Sequence, residues 1–425
     1  MIPRVCKKNE NEVNLKVSVY VKNFIETVFT KFFVVIIGMA TSIIIARILG
    51  PEGRGEYAVA ITISGIGVQL GNLGLHSANT YYIAQNKEII APIINNSIIV
   101  SFLGGAIVSM IIYPFIIIFD FMQITNTILL FLCLFSIPLG LAYLLLQNIL
   151  LGINEVQVYN KIEIEAKVFS IVLLLLLIIV NYVNATSIFF ITLLTSFIGI
   201  LLVLLKLNKF VTIKIKFSAN IFMNCYFYGI KSYVACLFSF LVLRADLLMV
   251  KHFLSLQEAG YYSIALNIGD MLFLFSTTLG TILFPKLSAM KNTREKYLFT
   301  HKNLRCFTPF IIALSLISVY TAPLMVEILF GLSYIPAVSA FILLVPGIAI
   351  LSLNSIYMNF FASTGMPWVT IYSPLLALIL NVFLNMKLIP ILGVNGAAIS
   401  SVISYSLMLL ISIFYVKLRF NNIND

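Results

Sequence analysis

Twelve apolar stretches, each long enough to cross a bilayer, fill almost all of this 425-residue chain, and the segments between them are too short to fold alone. A membrane-spanning helix takes about 20 apolar residues. The stretches lie at about 24–49, 57–83, 93–118, 124–151, 167–183, 187–205, 223–249, 259–285, 304–330, 337–361, 368–390 and 394–416. In hydrocarbon a spanning segment must satisfy its own backbone hydrogen bonds, so runs of this length specify helices and an all-α integral membrane protein. Charged residues make up 10% of the chain, against about 25% in a soluble domain, and no polar segment is long enough for a soluble catalytic domain. A transporter, a channel or an intramembrane enzyme remains. Residues 1–22 are polar and mixed in charge, unlike a cleavable signal. Val17, Tyr20, Val21, Phe24, Ile25 and Val28 recur at helical intervals, predicting a membrane-surface helix that feeds the first crossing.

The net charge of +11 follows from topology. Lys and Arg alternate between loops, 20 on one side (among them Lys161, Lys167, Lys209 and Lys291) against Arg47, Arg54, Lys251 and Lys387 on the other, 4 in all. That bias places the richer side, with both termini, in the cytoplasm. No nucleic-acid partner is needed to explain it. The five cysteines form no CxxC pair and read as buried small hydrophobes, with no structural disulfide.

The chain carries a weak internal repeat. Leu49, Gly55, Tyr57 and Ala60 coincide with Leu254, Gly260, Tyr262 and Ala265 at a shift of 205 residues, each set opening an even-numbered crossing. Six crossings per half make this a parallel repeat about an axis along the membrane normal, a design that encloses a cavity between its lobes. The expected organisation is an N-terminal six-helix bundle at 1–205, a cytoplasmic linker at 206–222 and a C-terminal six-helix bundle at 223–425. The run Gly65-Ile66-Gly67 with Gly71 and Gly74 lies in an apolar helix with no strand before it, so it reads as close helix packing and not as a nucleotide fingerprint.

The chain has no P-loop, HExxH, GxSxG or metal-ligand cluster, so no cofactor or metal is expected, and energy must come from an ion gradient, the membrane potential or the substrate gradient. The informative residues are charges at membrane depth, each costing roughly 2.5–3.5 kcal/mol at a helix centre. Asp270 is the deepest. Arg244 and Asp246 lie near the outer end of the seventh crossing and Lys231 nearer its inner end; Lys31 and Arg47 lie at the two ends of the first. Snorkelling accounts equally well for Lys31, Arg47 and Arg244, whereas Asp270 is too deep for it and should face a cavity or a partner. Arg244 and Asp246 are two apart, so they point in different directions. Cavity candidates are Lys31, Arg47, Lys231, Arg244, Asn72, His76 and Gln147, with Asp270 and Asp246 as ion-coupling candidates. For the uncharged ones an interhelical hydrogen bond is the commoner role.

The run Ala46-Arg47-Ile48-Leu49-Gly50-Pro51-Glu52-Gly53-Arg54-Gly55-Glu56-Tyr57 resembles the signature ending the first helix of Wzx-type O-antigen flippases, members of the multidrug/oligosaccharidyl-lipid/polysaccharide exporter superfamily. Arg244-Ala245-Asp246, Gly260-Tyr261-Tyr262 and Phe284-Pro285 are similar to that family more loosely. The resemblance spans the full length and implies a MATE-like fold, two pseudo-symmetric six-helix bundles around a central cavity. It further implies alternating access, a monomer in the bacterial inner membrane, and undecaprenyl-diphosphate-linked oligosaccharide as cargo beside membrane lipid, with a polymerase and a chain-length regulator as possible assembly partners. Lys31, Lys231 and Arg244 are the cations expected to pair the diphosphate, and Asp270 the carboxylate expected to take up H⁺ or Na⁺. Two other readings compete. A cation-coupled multidrug antiporter would want an acidic, aromatic pocket. A membrane glycan polymerase or acyltransferase would want a long outward loop or a His/Arg/Asp cluster, and the chain has neither.

Overall fold

The computed structural model describes residues 5–121, 126–210 and 216–420, with side chains described for Glu26 and from Phe29 onward. It is 91% helix, with no strand among the described residues. The helices are α1 (Val5–Asn72), α2 (Leu75–Gln85), α3 (Ile90–Ile99), α4 (Gly105–Ile118), α5 (Thr127–Gly152), α6 (Val156–Ile179), α7 (Ala185–Leu207), α8 (Ala219–Phe253), α9 (Leu256–Ala289), α10 (Thr293–Phe330), α11 (Ala337–Ser363), α12 (Val369–Leu392) and α13 (Val394–Phe420). Ten described segments are long and apolar enough to cross a membrane.

Dividing α1 into its two arms and adding α6, whose first half is charged, matches these elements to the twelve apolar stretches of the sequence. α1 bends at Gly50, whose φ of 67° and ψ of −179° leave the helical region, so its two arms are the first crossing and most of the second. Leu73 and Gly74, at φ 50° and 79°, break the second crossing before α2 completes it. A π-helical stretch, Val100–Gly104, joins α3 to α4 as the third crossing. Side-chain caps fix three of the later starts: Asn126, Asn184 and Ser255 accept backbone N–H bonds at the starts of α5, α7 and α9.

Two sequence expectations are corrected here. α6 begins at Val156, eleven residues before the expected start of the fifth crossing, so Lys161 and Lys167 belong to a helix and not to a loop. The N-terminal stretch is helical, as the spacing of Val17 to Val28 predicts, and it is continuous with α1, in which Gly50 is the one non-helical residue; the side chains before Glu26 lie outside the described set. Of the cysteines with described side chains, Cys133 and Cys225 are buried but Cys236 and Cys306 are exposed, and all four are free.

Helices α1 to α7 pack among themselves, as do α8 to α13, and the second arm of α1 crosses between the two sets against α9. The repeat explains how closely. A Cβ on Gly55 would strike the Leu256 carbonyl and the Gly260 amide, and one on Gly260 would strike the Pro51 carbonyl. Under the 205-residue shift Pro51 is equivalent to Leu256 and Gly55 to Gly260. Residue and counterpart therefore swap roles across the contact, which is the mark of a two-fold interface. The axis of pseudo-symmetry passes between these glycines. At the far end of the same crossing, Gly74 meets the backbone of Gly229 on α8.

Candidate central cavity

Between the arms of α1, α5, α6, α7 and α9 lies a polar cavity of about 500 Å³. It adjoins a second, of about 340 Å³, between the first arm of α1 and α9. Gly38, Ser42, Lys167 and Asn267 line both. The larger void is walled by Thr41, Arg54, Tyr57, Tyr143, Gln147, Glu163, Thr192, Thr195 and Ser196, and the smaller reaches Asp270.

Glu163, Lys167 and Ser170 follow i, i+4, i+7, so one face of α6 presents all three to the larger cavity. Glu163 is within Coulombic reach of both Lys167 and Lys31. Lys31 is exposed on the first arm of α1. Arg54 is placed by the second arm, only 5% exposed. Its Nη2 donates to Ser42 Oγ at 3.1 Å and its Nε to Ser263 Oγ at 3.3 Å, with Tyr57 beneath the guanidinium at 5.6 Å. Among the described residues it has no carboxylate partner. A buried cation held by hydroxyls alone retains most of its attraction for an anion.

The deep charges of the seventh and eighth crossings separate. Arg244 Nη2 donates to Asp270 Oδ2 at 2.7 Å, with 29% and 49% of the two side chains exposed; Asp270 lines the smaller void and Arg244 meets it from outside the two linings. Asp246 is fully buried and turned away, accepting from Tyr262 Oη at 2.5 Å, from Ser401 Oγ at 3.0 Å and from the Leu247 amide at 2.8 Å. Asn381 donates to Ser401 Oγ at 3.5 Å and accepts from Asn385 at 2.9 Å, extending a polar network through α12 and α13.

Other candidates lie elsewhere. Gln147 lines the larger cavity. Asn72 and His76 bond to one another across the break at Leu73–Gly74, with Nδ2 and Nδ1 2.8 Å apart, a local brace outside both cavities. Arg47 donates to the carbonyls of Ile328 and Leu329, at 2.8 Å for the latter, and so docks on the last turn of α10. Carbonyls there have no intrahelical partner, and the helix dipole favours a cation. Lys231 lies 5.2 Å over the ring of Trp368, outside both voids. Arg54 and Lys167, which topology alone assigned to loops, are the cavity cations that sequence reasoning missed.

The fold compares with solved transporters at full length. An inward-facing multidrug resistance MATE family transporter of the MOP superfamily matches at 14% identity over 91% of this chain and 94% of its own, with a TM-score of 0.77. Lipid II flippase MurJ, in its inward closed conformation, matches at 16% over 92% and 87%, TM-score 0.75. The Vibrio cholerae MATE transporter VcmN matches at 12% over 95% and 98%, TM-score 0.68. An uncharacterized membrane protein of Methanocaldococcus jannaschii is 26% identical over 213 residues, 49% of this chain and 42% of that protein; the match thus spans less than half of that relative's length. The family model described as polysaccharide biosynthesis protein matches residues 44–339, from the Arg47–Tyr57 signature through most of the second half. The chain therefore belongs to the polysaccharide biosynthesis protein family, built on the all-helical fold shared by MATE and MurJ transporters.

Proposed function

We propose that the protein is a flippase that carries a polyprenyl-diphosphate-linked oligosaccharide, undecaprenyl-linked in a bacterial inner membrane, from the cytoplasmic to the outer leaflet by alternating access. The observation that carries this reading is the cavity's charge. Arg54 and Lys167 line the polar voids beside the carboxylates Glu163 and Asp270, and Arg244, which lines neither void, neutralises Asp270 in an ion pair, so the cations there outnumber the acids left without one. Moving a diphosphate-sugar head across hydrocarbon needs fixed cations for the phosphates and hydroxyl and amide groups for the sugar, while the lipid tail stays in the membrane. Ser42, Thr192, Thr195, Gln147 and Asn267 provide the second set. Together the voids fall within the roughly 300–1,000 Å³ of small-molecule sites, suited to the diphosphate and the first sugars. A cation exporter would place unpaired carboxylates there, whereas Asp270 is paired with Arg244 and Glu163 lies within reach of Lys167.

Asp270, opposite Arg244, and the buried Asp246 are the groups through which H⁺ or Na⁺ drives the cycle. The lobes 1–205 and 223–425 rock about the Gly55–Gly260 contact. Deleting the gene tests the reading: surface glycan should disappear while lipid-linked repeat units accumulate on the cytoplasmic leaflet. Units that reach the outer leaflet and stay unpolymerised would sink it in favour of a polymerase. Intact glycan with new sensitivity to cationic drugs would point to an antiporter.

A further inference from the structure

The C-terminal bundle has a second cavity, of about 700 Å³, remote from the first. It is formed by the turn between α11 and α12, the first turn of α12, the start of α10 and the last turns of α13. Ile411, Phe414, Tyr415 and Leu418 follow i, i+3, i+4, i+7 and give one face of α13 to it. Phe414 and Leu418 are 64% and 69% exposed, as is Trp368 at 60%, so this apolar wall is uncovered by protein.

Its rim is basic and aromatic. Arg419 Nη1 donates to Tyr415 Oη at 3.1 Å, and its guanidinium lies 6.0 Å from that ring. The Lys231 ammonium lies 5.2 Å over Trp368, whose indole stacks on Tyr372 at 6.0 Å and 20°. Among the described residues neither cation has a carboxylate partner. Trp and Tyr with Arg and Lys mark the level of lipid headgroups. Basic pockets between spanning helices hold anionic headgroups, each cation near the surface adding attraction.

We propose that this cavity binds an anionic phospholipid of the surrounding leaflet. Its headgroup phosphate lies between Arg419 and Lys231, and an acyl chain lies along Phe414 and Leu418. The commitment to an anionic lipid rests on charge complementarity: two cations without a carboxylate partner among the described residues flank an apolar slot, and no acid among those residues lines it. The site is independent of the transported cargo, since none of its residues lines the central voids.

Trp368 is the chain's single tryptophan, so its fluorescence reports this site alone. The full-length protein is reconstituted in phosphatidylcholine vesicles containing brominated phosphatidylglycerol or, separately, brominated phosphatidylcholine at equal mole fraction. Quenching should give a relative association constant favouring the anionic lipid by about fivefold per cation. Arg419→Ala and Lys231→Ala should each lower that ratio by about fivefold, and the double variant should bring it near one. If a variant does not insert, the wild-type ratio still decides. Equal quenching by the two lipids, or a ratio that survives in the double variant, overturns the proposal. So does undecaprenyl phosphate, added at one per protein, displacing the brominated phosphatidylglycerol; the slot would then belong to the cargo's own lipid.

Discussion

Replacing Asp270 by Asn should tighten binding of a diphosphate headgroup while removing the ion dependence of transport. Arg244 is engaged by Asp270 at 2.7 Å, and a phosphate must displace that carboxylate to use the guanidinium. With 29% and 49% of the side chains exposed, solvent screens the pair, and its strength falls near the upper end of exposed ion pairs, about 1 kcal/mol. Asn keeps the shape and can accept a hydrogen bond but carries no charge and does not titrate. The competition it removes corresponds to about fivefold tighter binding. Arg244→Ala should instead weaken binding by about tenfold or more, the loss of a charge-assisted hydrogen bond worth roughly 1.5–3 kcal/mol. Farnesyl diphosphate titrated into detergent-purified protein measures both. The double variant closes the cycle: without Arg244, Asp270→Asn should no longer tighten binding, because the two residues act through one contact. In proteoliposomes the Asp270→Asn protein should still insert but translocate at a rate indifferent to pH and Na⁺ gradients. Unchanged or weaker binding by Asp270→Asn would refute the competition, and a retained gradient response would remove Asp270 from coupling.

Further outcomes follow from the other contacts. Arg54→Ala should cut translocation at least tenfold yet shift thermal stability by only about 1 kcal/mol, because no buried carboxylate is left unpaired; Arg54→Lys should recover part of the transport, read as glycan ladder intensity against protein level. Gly55→Ala and Gly260→Ala should each lower the melting temperature of the purified protein, since the new methyl meets a backbone carbonyl, an overpacking cost of about 1–3 kcal/mol. In a cysteine-free background, Lys291→Cys should label from the cytoplasm and Leu332→Cys from outside; the reverse pattern would invert the topology.

The helical class was legible because apolar length is a strong signal and the membrane leaves few alternatives; the twelve apolar stretches meet ten described spans, since α1 holds two of them and charge dilutes α6. The segment between the first two crossings was misread for a physical reason. Gly50 through Glu56 looks like a polar loop, but the chain needs only Gly50 to turn. Pro51 then sits at the start of the next arm, where a missing N–H is harmless. Arg54 thereby moves from an outer loop to the cavity wall. The Gly-then-Pro punctuation was the available signal, as was the repeat that aligns Gly55 with Gly260. In the fifth crossing, Lys161, Glu163, Glu165 and Lys167 dilute the hydropathy of a helix that is nonetheless continuous. Lys161 pairs outward with Glu165 at 3.6 Å, while Glu163 and Lys167 turn to the cavity. The i, i+4 pattern was visible in the chain, but which pair faces inward depends on packing.

Depth alone could not rank the charges, because the membrane requires only that each be compensated, and three kinds of partner do so here. Arg47 uses helix-end carbonyls, which are fixed parts of the backbone and are not displaced by a ligand. Arg244 uses a carboxylate, which an anion can replace and a proton can neutralise. Arg54 uses two hydroxyls, which leave its charge uncompensated. If the protein works as proposed, the expected order is that of how readily each partner yields: Arg54 first, Arg244 when its carboxylate lets go, Arg47 not at all. A sequence gives the position of a charge along one helix, whereas that order depends on which atoms of other helices meet it. Asp246 follows the same logic in reverse. Two residues from Arg244, it points roughly 200° away around the helix and is enclosed by α9 and α13. From there it can act on the cavity only by changing how those helices pack, so under the proposed ion coupling Asp246 would work through lobe shape and Asp270 through direct competition for Arg244.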